Sequence, residues 1–152
     1  MTRIDDSAAP PPANAPDPAT MAHTHAAAYS LDRAWSLAEF QSLTDSPHVL
    51  ALGDARAFLL ARIIADEAEI LTIATHPDHR RQGLARALLD QFHRAAQQRG
   101  AAHGFLEVAA DNLPARALYQ AAGYGQIGQR RAYYARASGG AADALILQRK
   151  LT

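Results

Sequence analysis

Cysteine is absent from the 152 residues, which excludes disulfides, thiolate zinc centres and cysteine nucleophiles. No apolar run approaches the roughly 18 residues that a membrane-crossing helix requires. Neither sign of charge is in excess. Fifteen Lys and Arg balance fifteen Asp and Glu, so no global field draws the chain to nucleic acid or an anionic bilayer. The opening MTRIDDSAAPPPANAPDPAT lacks the apolar segment of a secretory signal. A cytoplasmic protein is expected, with no membrane partner, no direct nucleic-acid contact, and a monomeric or weakly dimeric state.

What is present suits one domain: 49% hydrophobic residues, 20% charged, and enough length for a real core. Five of the eight prolines fall in the first 20 residues, among alanines and acids. That composition predicts a disordered Ala/Pro-rich leader over residues 1–19, with a single folded domain over 20–152. Alanine content predicts a helix from Thr20 to about Tyr29. Ser36 and Glu39 form a capping-box pair opening a second helix. HVLALGDARAFLLARIIADEAEILTIAT reads as three strands, turning at Gly53-Asp54 and near Asp66-Glu67. Residues 83 to about 99 carry helical spacing through Leu84, Leu88, Phe92, Ala95 and Ala96, and Gly100 ends that helix. A short strand, AAHGFLEVA, precedes a short helix opening near Asn112 and ending at Gly123. Two last strands are expected at about 124–133 and 143–150. The fold class is α/β (α+β), a mixed sheet with an antiparallel amino-terminal meander and flanking helices.

The stretch HPDHRRQGLARALLDQF admits three chemistries. His76 and His79 flank Asp78, but Pro77 prevents a regular helix from aligning them and no second cluster adds ligands, so no metal is expected. Arg80, Arg81 and Arg86 lack the interleaved aromatics of a base-stacking surface. The third is anion binding: a strand ends at Thr75, a loop carries arginines and Gly83, and a helix begins. Unpaired N–H groups and the helix dipole favour negative charge at such a junction. Each such interaction is worth only about 0.3–1 kcal/mol when exposed, so several must converge. No lysine completes a P-loop. On residues alone, a phosphate-binding turn and a simple capped helix both remain open.

Downstream, Glu107 lies in an apolar strand, on the face of Phe105. Asn112, Ala115, Arg116 and Tyr119 share one face of the following helix. A carboxylate at a sheet edge and a core tyrosine explain these residues as well as a base, an anchor and an acid around one cleft. Arg131, Tyr133 and Tyr134, with Arg130, read equally as an ordinary strand.

Arg80-Arg81-Gln82-Gly83-Leu84-Ala85 resembles the [QR]-x-x-G-x-[GA] signature of GCN5-related N-acetyltransferases (GNAT). LEVAADNLPARALYQAAGY and RRAYYARASGGAADALIL resemble blocks of its RimI-type members, which acetylate protein N-termini. The similarity covers roughly residues 22–151. It implies the GNAT fold with splayed central strands, acetyl-coenzyme A as co-substrate without a metal, and a protein N-terminal peptide as acceptor. That acceptor would be the terminal alanine of a small-subunit ribosomal protein. A lysine, a small-molecule amine, or coenzyme binding without catalysis are the alternatives. By the same resemblance Glu107 is the general base and Tyr119 the general acid. The coenzyme would meet Ile73, Ala74 and Thr75, the turn Arg80, Arg81, Gln82, Gly83, Leu84, Ala85 and Arg86, and Asn112, Ala115, Arg116 and Tyr119. Trp35, Arg131, Tyr133 and Tyr134 would flank the acceptor. Ala34-Trp35-Ser36 replaces the usual Pro-Trp-Ser, Thr75-His76 replaces an apolar residue and aspartate, and the family's first strand has no evident counterpart before Thr20.

Overall fold

Asp17 accepts a hydrogen bond from the Thr20 N–H at 2.8 Å and Pro18 occupies the first turn, so helix α1 runs Pro18–Ala28. It therefore begins two residues inside the span expected to be leader. The computed structural model describes residues 15–29 and 33–151; the rest of the expected leader lies outside them. Helix α2, Leu37–Thr44, opens with the expected capping box: Ser36 Oγ accepts from Glu39 N, and Glu39 accepts from Ser36 N.

Strands β1 (Val49–Gly53), β2 (Ala57–Ile64) and β3 (Glu67–Thr75) form the antiparallel meander. Gly53 has φ +104°, and a Cβ there would stand 2.2 Å from the Ala57 carbonyl oxygen, so glycine is required. The second turn falls one residue earlier than expected, at Ala65-Asp66. There follow α3 (Leu84–Gln98), β4 (His103–Ala109), α4 (Leu113–Ala121), β5 (Gly125–Ala135) and β6 (Ala141–Lys150). The sheet order is β1-β2-β3-β4-β6-β5, and β3–β4 is its parallel pair. Among the described residues no strand precedes α1.

Alternation along the strands sorts the core into two layers. Leu50, Leu52, Leu59, Ala61 and Ile63 face α3, where Leu88, Leu89, Phe92 and Ala96 form the buried stripe; α4 adds Tyr119 and Ala122. Ala51, Phe58 and Leu60 face the other way, against Met21 of α1 and Phe40 of α2. Phe40, Phe58 and Phe92 are fully enclosed, and truncating any one to alanine should cost about 3–5 kcal/mol.

One irregularity governs the centre. Leu60 pairs with Thr72 and Ala61 with Ile70, leaving Leu71 as an extra residue on β3. Ala68 and Ile70 belong to the α3 layer. Past the bulge the parity slips, so that Ile73 faces α3 while Leu71 and Ala74 face α1. Pairing of β3 with β4 stops at Glu69–Phe105, and beyond that register the two strands separate.

Candidate functional site

The separation of β3 from β4 opens a cleft of about 730 Å³. Its floor is the end of β3, Ile73 to Thr75. One wall is the turn and first residues of α3, the other α4 with Asn112, Ala115 and Leu118, and Tyr29 closes it beneath α1.

The α3 wall presents backbone. Gly83 stands at the N-cap with φ +75° and provides no side-chain cap, and the first intrahelical bond is Ala87 N–H to the Gly83 carbonyl. The N–H groups of Leu84, Ala85 and Arg86 thus point out of the helix end. Arg81 also adopts φ +64°, a conformation costing a residue with a Cβ about 1–2 kcal/mol. Left-handed residues interspersed along a turn gather successive N–H groups into an anion-binding concavity. A Cβ on Gly83 would meet nothing within 4 Å, so its outer side is open to a ligand.

The neighbouring arginines brace this wall. Arg80 donates to the Ala28 carbonyl at 3.1 Å, fastening the turn to the end of α1, and Arg86 donates to the Ala121 carbonyl at 3.4 Å. Both line the cleft, as do Arg81, Gly83, Leu84 and Ala85, whereas Gln82 is exposed and does not. His76 caps the short 3-10 turn Pro77–His79 by accepting from Asp78 N at 3.2 Å.

On the α4 wall, Asn112 Oδ1 accepts from Ala115 N at 3.3 Å, which leaves its amide N–H groups as donors. Arg116 turns away to the Ala110 carbonyl at 2.8 Å and does not line the cleft. Tyr119 is 5% exposed, behind the lining residues, and its ring meets Tyr124 edge-on. Its hydroxyl has no hydrogen-bond partner among the described residues. Burial, then the neighbouring Tyr29 and Tyr124 phenols, push its pKa far above the ordinary tyrosine range. Asp111, at the mouth, is gripped by both arms of Arg136 at 2.8 Å, which holds its carboxyl below the usual range.

Glu107 lies on the opposite face of β4 from Leu106 and Val108. Its carboxylate meets Arg130 at 3.1 Å with 28% of the side chain exposed. Arg130 also lies 5.4 Å over the Tyr133 ring. Three residues of β5, 131–133, oppose Asp143 alone, because Arg130 pairs with Ala144 and Tyr134 with Ala142. Asp143 fills this wide bulge by accepting from Ala132 N at 2.8 Å and from the Gln129 side chain. The result presents Arg131 and Tyr133 to solvent and sets Tyr134 edge-on to Tyr133 at 5.1 Å. Trp35 is half-buried, packed over His25 and Phe40 in the α1–α2 layer.

The acetyltransferase (GNAT) profile matches residues 15–124, which holds the meander, the bulged strand, the α3 turn and α4. The chain belongs to the acetyltransferase (GNAT) family. The [ribosomal protein bS18]-alanine N-acetyltransferase of Escherichia coli K12 is 41% identical over 95 residues, spanning 62% of this chain and 64% of that relative. The match therefore takes in less than two thirds of the relative's length. The crystal structure of the ribosomal-protein-S18-alanine N-acetyltransferase from Escherichia coli superposes with a TM-score of 0.81 at 33% identity. It covers 90% of this chain and 88% of that one. Arabidopsis thaliana NAA60, solved in complex with acetyl-CoA, shares the fold with a TM-score of 0.74 at 16% identity, over 88% and 93% of the two chains.

Several features around the cleft and β5 lie beyond the expectations from sequence. The Leu71 bulge and the Asp143-filled bulge left no local signal. Thr72 did leave one, a lone hydroxyl in the apolar run ILTIA, and His25 and Tyr29 are spaced four apart on one helix.

Proposed function

We propose that this chain transfers the acetyl group of acetyl-coenzyme A to the α-amine of a protein N-terminus. The terminal alanine of a small-subunit ribosomal protein is the first acceptor to test. The observation that carries the reading is the cleft at the β3/β4 split. An uncapped helix end lines it, and a carboxylate, Glu107, stands on the neighbouring strand β4, outside the lining residues. The donors at residues 84–86 suit a diphosphate, and the separated edge of β3 suits the extended amide chain that leads to a thioester.

Glu107, directly or through one water, takes the proton that the acceptor ammonium must lose. The amine nitrogen then attacks the thioester carbonyl. A C–N bond forms, the carbonyl oxygen becomes an oxyanion stabilised by backbone N–H groups at the bulged end of β3, and the C–S bond breaks. The oxyanion collapses to the amide carbonyl, and the electron pair of the broken bond leaves on sulfur. The extra proton that the attacking nitrogen still carries ends on that thiolate through solvent, giving the amide and the free thiol. The Tyr119 hydroxyl, buried behind the lining residues and without a hydrogen-bond partner among the described residues, donates a hydrogen bond to the thiolate once that lining parts for the thioester. Its raised pKa makes stabilisation by the hydrogen bond a larger part of its role than outright proton transfer. Arg130 must release Glu107 as the acceptor arrives; its exposed side chain lets it do so at small cost.

Acceptor choice follows from proton affinity. An α-amine titrates near 7.7–8.0 and lysine near 10.4, so presenting neutral lysine at pH 7 costs about 3.5 kcal/mol more. A single carboxylate is an adequate base for the former. The test is mass spectrometry of two peptides incubated with enzyme and acetyl-coenzyme A, one with a free terminal alanine and one N-blocked with an internal lysine. Acetylation of the first alone is expected. Modification of the second alone would move the reading to lysine, and modification of neither would leave a coenzyme-binding module.

A further inference from the structure

Behind the cleft floor, α1 inserts a fully buried imidazole. His25 is 0% exposed, stacks on Tyr29 at 4.0 Å and on Trp35 at 5.2 Å, and meets the edge of Phe40. Its nitrogens are both engaged. The Trp35 backbone N–H points at Nδ1 from 3.1 Å, so Nδ1 accepts and the proton resides on Nε2. Nε2 lies 3.3 Å from Thr72 Oγ1, and Thr72 Oγ1 lies 2.9 Å from the Tyr29 hydroxyl. That hydroxyl donates to the Ile73 carbonyl at 3.4 Å. With the first donor fixed by backbone, the chain runs one way: Trp35 N–H to His25, His25 to Thr72, Thr72 to Tyr29, Tyr29 to Ile73. Burial keeps the imidazole neutral, with its pKa down at about 4, as this polarity requires.

The chain ends where the fold is least secured by ladder bonds. Thr72 follows the extra residue of the β3 bulge, and Ile73 lies beyond the last β3–β4 pair, facing the open cleft. The ladder to β4 no longer holds this stretch on that side, so its orientation depends on what grips it from α1. A packing role alone would be met by an apolar residue at position 72, where Leu71 and Ala74 already face the α1 layer. Instead a hydroxyl stands there with both neighbours polar.

We infer that His25, Thr72 and Tyr29 form a positioning relay that sets the backbone of residues 71–74 for the thioester, with Tyr29 as the member reaching the cleft. The inference rests on the acetyl-transfer reading above, but its structural arm does not. Thr72→Val keeps the shape of the side chain and severs the relay at its middle; Thr72→Ser restores the hydroxyl; Tyr29→Phe keeps the stack on His25 and releases Ile73. Amide hydrogen exchange on the full chain should rise about tenfold at residues 71–74 in Thr72→Val and Tyr29→Phe, with Leu59 and Leu60 unchanged, and return in Thr72→Ser. The turnover number should fall roughly tenfold in the first two variants, by more than any loss of coenzyme affinity, and recover in the serine variant. Unchanged exchange at 71–74, or an equal rise throughout β2, overturns the relay whether or not the wild type proves active. A wild type that acetylates nothing refutes the transfer reading and leaves the exchange comparison to decide the relay.

Discussion

From Thr75 to Arg86 the cleft is walled by main chain: an uncapped helix end, two left-handed residues, and arginines turned aside to brace α1 and α4. On β4, outside the residues that line the cleft, the face bearing Glu107 is instead built of side chains. Arg130 sits on the carboxylate, and Tyr133 and Tyr134 stand on a bulge that Asp143 fills. On the proposed reading, a diphosphate is the same in every turnover, so fixed N–H groups suffice to hold it. An acceptor must be admitted, deprotonated and released, and exposed side chains can move. The contrast predicts that damage to one wall leaves the ligand of the other unaffected.

The largest expected effect falls on the side-chain wall. Glu107→Gln should lower the turnover number about 10²- to 10⁴-fold, the range of a general base, while coenzyme affinity measured by calorimetry stays within about twofold. Loss of coenzyme binding in that variant would erase the division between the walls.

Next is acid stability, because the helix layer on each face of the sheet holds a buried neutral histidine. His25 lies behind β3, and His93 lies behind α4 and β6, bonded to Tyr124 at 2.8 Å and Arg149 at 3.0 Å. Burial lowers both to about 4, and Arg149 adds to the effect on His93. Unfolded imidazoles bind protons near 6.5, so the full stability holds above that pH and is lost progressively as pH falls toward 4. The loss is up to about 3 kcal/mol for each histidine. Glu69, raised by burial, opposes this weakly. Urea midpoints at pH 7 and 4.5 should differ clearly, and equal midpoints would contradict the buried, neutral state of both rings.

The remaining effects are smaller. Gly83→Ala sets a Cβ on the open side of the turn and favours relaxation of its φ +75° by about 1–2 kcal/mol away from the cradle shape, so coenzyme affinity should fall about tenfold with the peptide KM unchanged. Arg130→Ala should change stability by less than about 1 kcal/mol in thermal melts, since the pair is largely exposed.

What could be read from the sequence follows the same division. Gly83, the Ser36–Glu39 box and the Asn112 cap are local devices whose residue types name their conformations, so the turn and both helix starts were visible in order. Composition puts the start of α1 two residues late, because Asp17 lies among residues whose composition reads as disorder. The Leu71 bulge depends on the register of β2, and the Glu107–Arg130 contact on β6 lying between β4 and β5; neither is encoded in nearby sequence. The same holds for Arg116, whose helical face matched Asn112 but whose carbonyl partner at Ala110 drew it away.

The division between a main-chain cradle and a side-chain reaction face is tested most directly by amide hydrogen exchange on the full chain with and without coenzyme A. The account predicts protection concentrated at residues 81–86 and at the end of β3, with residues 130–134 unchanged. Protection confined to residues 130–134, with none at 81–86, would contradict it.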